Sequence, residues 1–149
     1  VTILLPLLLI IVGLPPILAA KPVPFNPSRL KYEEFGAALV GISGPLTNLL
    51  LAVAFAPLLN VLSAGSLFYN FTVVMINLNV LLFVFNMLPL PPLDGSRLLY
   101  AFSPDPVRKF LQQIESLGIV FIIVILMLLM PIIGPFISNI SSEIISFLV

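Results

Sequence analysis

The sequence predicts an all-α integral membrane protein of about four transmembrane helices, one of them broken at a proline-rich Leu-Asp-Gly turn. Three observations carry this reading. Of 149 residues, 60% are hydrophobic and only 8% are charged, with a mean hydropathy of +1.26. Soluble domains carry about 25% charge, so too few polar groups are present to cover a water-exposed surface. Apolar runs recur at the length of about 20 residues that a helix needs to cross a bilayer. The longest uncharged stretch runs from Phe35 to Leu93 and ends at Asp94. The formal net charge is zero, which leaves no basic footprint for nucleic acid. No cysteine is present, hence no disulfide framework or thiolate metal site. Histidine is absent as well.

The first apolar run, residues 2–20, contains Pro6, Gly13, Pro15 and Pro16, which predict a broken or kinked span. No basic region precedes it, so it does not read as a secretory signal peptide. The second span is expected over 36–62. Gly41, Gly44, Asn48 and Ala52 recur on it at helical spacing, a small-residue stripe that lets another helix approach closely. Pro45 is expected to kink it. Gly41 and Ala52 read as plain helix packing, and Asn48 as a structural hydrogen bond before a site role. The third span is expected over 67–88, with Asn79 and Asn86 on one face and Asn77 on another. The fourth is expected over 117–137. A last apolar piece, 140–149, is too short to span and is assigned to the interface or to a cut end. No internal repeat, soluble domain or long linker is visible, so 1–149 reads as a single membrane-embedded domain.

The loops orient these spans. Lys21, Arg29 and Lys31 lie between the first two, and Arg97, Arg108 and Lys109 between the last two. The connection near 63–66 is uncharged. All six basic residues therefore fall on one side, which the positive-inside rule makes cytoplasmic. Asp94 then lies at the cytoplasmic end of the third span.

Leu88-Pro89-Leu90-Pro91-Pro92 cannot continue a helix, because each proline lacks a backbone donor and restricts the residue before it. The span is expected to unwind near Leu88 and restart as a short helix over 92–102, with Asp94 in its first turn and favoured there by the helix dipole. Gly95 leaves room for close backbone approach. An ionisable residue at such a break marks a functional site by default, although a helix-end charge beside a proline terminator is the competing reading.

Asn86-x-x-Pro89-x-x-x-x-Asp94-Gly95 resembles the Asn…Pro…Leu-Asp-Gly motif of the site-2 protease family of intramembrane zinc metalloproteases. Gly44-Pro45-Leu46-Thr47-Asn48 is similar to that family's Gly-Pro-x-x-Asn segment. Lys21-Pro22-Val23-Pro24, at the head of residues 21–30, is similar to a loop of a compact bacterial and archaeal subgroup. The resemblance implies a zinc endopeptidase of the prokaryotic cell membrane, whose partners are a transmembrane protein substrate and lipid. It makes Asp94 the third zinc ligand, beside two histidines. It makes Asn86 a catalytic-site residue that positions substrate or the oxyanion. Gly44, Pro45, Asn48, Pro89 and Gly95 would shape the site, and the loop of Lys21, Pro22, Val23 and Pro24 would border the substrate. Zinc with three protein ligands and an open position lowers the pKa of a bound water to about 7, and a glutamate acts as base.

The sequence departs from the family in having no H-E-x-x-H, since it has no histidine. Glu33, Glu34, Asp105 and Glu115 read as solvated charges, and Glu143 falls on the opposite side. The expectation is therefore the C-terminal part of a longer protease core, inactive by itself, with the H-E-x-x-H helix upstream of Val1. The alternatives are a non-catalytic membrane scaffold and a transporter-like subunit. A transporter would show a second, corresponding helix break, and none is visible.

Overall fold

The computed structural model describes residues 33–149, and among them every regular element is helical. Five α-helices follow in order: α1 (Glu33–Phe55), α2 (Leu67–Asn86), α3 (Gly95–Phe102), α4 (Asp105–Ser116) and α5 (Ile119–Leu148). Among the described residues three stretches are long and apolar enough to cross a membrane: Gly36–Asn60, Leu67–Asn86 and Val120–Leu148. The first expected span, 2–20, lies outside the described residues, as does the loop of Lys21, Pro22, Val23 and Pro24.

Helix α1 runs through Pro45 without interruption and tightens into a 3-10 turn over Ala56–Asn60. Hydroxyls on either side of the proline bond back to the helix, Ser43 to the Val40 carbonyl at 2.6 Å and Thr47 to the Ser43 carbonyl at 2.7 Å. Such bonds help a spanning helix tolerate proline. A short turn containing Gly65 at φ 82 reverses the chain. Ser66 then caps α2, its hydroxyl accepting from the Tyr69 amide at 3.1 Å, which satisfies one orphan donor of the first turn.

Helix α2 is the centre of the bundle. Ile76, Val80, Val84 and Leu88 form a buried stripe at four-residue spacing, and Ala52 and Ala56 of the α1 hairpin arm and Ile137 of α5 close on it. Helix α1 packs against α2 and α3, and α5 packs against α2. Large apolar side chains stay exposed on the other faces, among them Leu50, Phe71, Val74, Leu128 and Ile132. In water so large an apolar surface would be a defect. In lipid it is the expected exterior, with small residues setting the helix contacts.

Three expectations need correction. The last span does not stop at 137: α5 continues to Leu148, with Pro131 and Pro135 inside it, and takes in all of the expected 140–149 piece but its final residue. Its polar residues do not interrupt the helix, because Ser142 bonds the Ser138 carbonyl and Ser146 the Glu143 carbonyl, both at 2.8 Å. The short helix after the prolines begins at Gly95 rather than at 92, because 87–94 folds as consecutive turns. The segment holding Asp105 and Glu115 is no loop but the amphipathic helix α4. Both carboxylates are nonetheless exposed, as expected.

Candidate functional site

The break after α2 satisfies its own backbone. Pro89, Pro91 and Pro92 have no N–H, and the Pro91–Pro92 bond is cis. The other four residues from 87 to 93 all donate locally: Met87 to Phe83, Leu88 to Phe85, Leu90 to Leu88 and Leu93 to Leu90, at 3.0, 3.2, 2.8 and 2.9 Å. Non-helical backbone next to a membrane span requires such pairing. The Leu93 carbonyl then accepts both from the Ser96 amide at 3.0 Å and from the Ser96 hydroxyl at 2.7 Å, which anchors the start of α3.

Gly95 is where the break closes on itself. A Cβ built there would run into the backbone carbonyl oxygens of Met87 and Leu88. The first turn of α3 thus sits directly on the last residues of the α2 exit, and only hydrogen fits between them. Pro89 lies on the exposed side of the same turn.

Asp94 occupies the cap position of α3 with helical φ −61 and ψ −31, and its side chain makes no capping hydrogen bond. An aspartate at this position usually folds over its own helix to accept from the first amides. Here one carboxylate oxygen instead faces α1, 3.5 Å from where a Gly44 Cβ would stand. Gly41, one turn earlier, lies against the Arg97 side chain and the Asp94 carbonyl. The α1 glycines and the Leu-Asp-Gly turn, far apart in sequence, are thereby brought into one notch. Pro45 is fully buried next to it, and Asn48, one turn on from Gly44, is half-buried.

Asp94 is half-buried and lies outside the three spanning helices. Burial pushes its carboxyl above the ordinary carboxylate range, and the Arg97 guanidinium partly offsets this. Sequence reasoning counted Arg97 only as a topological charge. Its position three residues after Asp94, on the same face of a short helix, was the available signal.

Asn86 and Asn79 do not reach into this notch through any hydrogen bond. Their amides bond back to the Leu82 and Met75 carbonyls of α2 at 2.9 and 2.8 Å. Asn77 likewise bonds Val73 at 2.7 Å and lines a cavity of about 780 Å³ between α2 and α5, away from Asp94.

Chemically, the notch offers one carboxylate, not capped by its own helix, to a ligand approaching along α1. Asp94 fits one position of a metal site. Among the described residues no cluster of three metal-ligating side chains exists, and with no histidine or cysteine in the sequence, imidazole or thiolate ligands would have to come from outside it.

The family described as Peptidase family M50 matches residues 60–130, which span α2, the break, α3 and α4. The Bacillus subtilis protein named "Putative zinc metalloprotease YwhC" is 36% identical over 115 residues, covering 71% of this chain and 52% of that protein. The Methanocaldococcus jannaschii protein named "Putative zinc metalloprotease MJ0611" is 42% identical over 67 residues, covering 45% of this chain and 34% of that protein. The chain thus spans about half the length of the first relative and about a third of the second. No solved structure matches it.

Proposed function

We propose that this chain, a site-2 protease relative whose residues 60–130 belong to peptidase family M50, contributes the aspartate side of an intramembrane zinc peptidase site. The observation that carries the reading is the Asp94 carboxylate, uncapped and turned toward Gly44. Asp94 would hold the metal as one oxygen ligand, with the remaining ligands and the general base supplied by an H-E-x-x-H segment outside this sequence. Zinc, when bound, supplies a Lewis acid and a water of lowered pKa.

The chain's own residues have distinct tasks in this reading. Gly44 leaves the face of the carboxylate open, and Gly95 fixes its position by locking α3 onto the α2 exit. Arg97 compensates the carboxylate charge when no cation is near. Asn86, at the end of α2, positions substrate or the oxyanion. Pro89 keeps the break unwound, and Pro45 and Asn48 support the notch from α1. The loop of Lys21, Pro22, Val23 and Pro24 borders a transmembrane substrate, and the site opens on the cytoplasmic side of a prokaryotic cell membrane. The cytoplasmic placement is supported by all six basic residues falling on one side of the expected spans. The chain without the H-E-x-x-H segment is inactive.

The test is made on the full-length gene product. Its sequence upstream of Val1 is determined first, and zinc content and cleavage of a transmembrane substrate are then compared in the parent and in Asp94→Asn. The expected result is an upstream H-E-x-x-H, about one zinc per parent chain, and loss of both zinc and cleavage in the variant. Unchanged zinc and cleavage in Asp94→Asn would overturn the ligand assignment. An upstream sequence without H-E-x-x-H would overturn the peptidase reading and leave the non-catalytic membrane scaffold.

A further inference from the structure

Helix α4 divides sharply into two faces. Val107, Phe110, Leu111, Ile114 and the following Leu117 recur at three- and four-residue spacing, and the charged and amide side chains occupy the other side. Only part of the apolar face is used by the protein. Leu111 is buried. On the neighbouring edge, Arg108 donates through Nε to the Ser103 carbonyl at 2.8 Å, and Glu115 lies beside the buried Tyr100 hydroxyl of α3. These contacts fix how α4 is rotated against α3. They leave Phe110 59% exposed and Leu117 55% exposed, next to a chain turn that leaves Phe102 at the end of α3 73% exposed.

Connectivity says what covers this edge. Helices α3 and α4 join two membrane-spanning helices, and only Leu117 and Gly118 separate α4 from α5. Val120 and Phe121, in the first turn of α5, are themselves exposed apolar side chains at the start of a span. The unpartnered edge of α4 is therefore continuous in the chain with a lipid-facing surface. The polar face, with Arg108, Lys109, Gln112, Gln113 and Glu115, prevents α4 from sinking into the hydrocarbon. A helix with these two faces lies in the membrane interface.

We propose that α4 is an interfacial anchor, with Phe110 and Leu117, joined by Phe102, inserted at the headgroup–acyl boundary of the leaflet on the Asp94 side. Asp105 and Glu115 balance Arg108 and Lys109, so the attachment is apolar and does not require anionic lipid. Through its contacts with α3 the anchor sets the depth of Asp94 in that leaflet. The inference rests on the membrane placement of the spans and not on the peptidase reading.

This 149-residue chain has no tryptophan, so in it Phe110→Trp and, on the opposite face, Gln112→Trp each introduce a single fluorophore. The two variants of the full chain are reconstituted into phosphatidylcholine vesicles, with and without phosphatidylglycerol, using lipids brominated near the top of the acyl chain. The expected result for Phe110→Trp is emission shifted to shorter wavelength, mostly lost on brominated lipid and insensitive to aqueous iodide, equally in both vesicle types. Gln112→Trp is expected to show the reverse. Quenching of Phe110→Trp by iodide but not by lipid would overturn the proposal in favour of a solvated face. Protection from both quenchers would overturn it in favour of a protein cover, such as a second copy. Lipid quenching of both variants alike would overturn the interfacial orientation, and lipid quenching only with phosphatidylglycerol would overturn the apolar attachment.

Discussion

Replacing Gly95 by alanine tests whether the Asp94 notch depends on the close seating of α3. The added Cβ would stand 2.5 Å from the Leu88 carbonyl oxygen and no farther from that of Met87, where ordinary contact begins at 3.4 Å. The start of α3 must therefore retreat by about 1 Å, and the obstructing atoms are backbone, which cannot rotate away as a long side chain can. Overpacking of this kind costs about 1–3 kcal/mol, and backbone obstruction puts it at the upper end. The higher helix propensity of alanine returns at most about 1 kcal/mol. The net expectation is a loss of about 2 kcal/mol, read as a lowered unfolding midpoint by circular dichroism in a mild detergent. Gly134→Ala is the control, since a Cβ at Gly134 meets nothing within 4 Å. A Gly95→Ala chain as stable as Gly134→Ala would refute the seating argument. So would a crystal structure of that variant with Asp94 and Gly44 in unchanged register.

Gly44→Ala places its methyl at ordinary contact from the Asp94 carboxylate, 3.5 Å, so the fold is retained; Gly44→Val adds two methyls, and the zinc content of the full-length protein should fall while helix content holds. Equal zinc in parent and Gly44→Val would count against access along α1. Ser66→Ala removes the cap on Tyr69 and should destabilise by about 1 kcal/mol in the same denaturation assay, with no change in zinc content. Burial first, and then the Glu115 charge, push the Tyr100 phenol from 10.0 up to about 12. The neutral phenol is therefore favoured by folding, a contribution fully present below the ordinary value and lost as pH rises through about 12. In an ultraviolet alkaline titration the difference between parent and Tyr100→Phe should have its midpoint near 12; a midpoint near the ordinary value would show that Tyr100 is not held against Glu115.

Spans with strong composition signals were legible because length and hydropathy alone decide them, as in α2, expected over 67–88 and found over Leu67–Asn86. Prolines have two opposite outcomes in these helices. Pro131 and Pro135 lie inside α5 without ending it, and the span expected to stop at 137 runs on to Leu148. Pro89, Pro91 and Pro92 did break their helix, because three lost donors within four residues leave only a chain of turns. Helix α4 was missed because its charges were weighed and the spacing of Val107, Phe110, Leu111 and Ile114 was not. Asp94 could be singled out from its place after an uncharged run. Its neighbours could not, since nothing in a linear sequence says that Gly44 and Asp94 face each other.

That pairing changes the meaning of the small-residue stripe on α1. Glycine at 41 and 44 reads as helix-on-helix packing when only the stripe is considered, and Ala52 serves that role in the core. At Gly41 and Gly44, however, the opposing atoms belong to Asp94 and Arg97 at the start of α3. A carboxylate near the hydrocarbon is costly, and three features reduce the cost here. The break satisfies its own amides, Arg97 lies beside the charge, and exposed Gly44 puts no side chain over the carboxylate oxygen that faces it. A larger residue on either wall should therefore give one shared defect. Gly44→Val and Gly95→Ala, although about fifty positions apart, should both impair whatever Asp94 binds, whereas Gly134→Ala, equally a helix glycine, should not. If only the Gly95 variant had that effect, the stripe would be packing and nothing more.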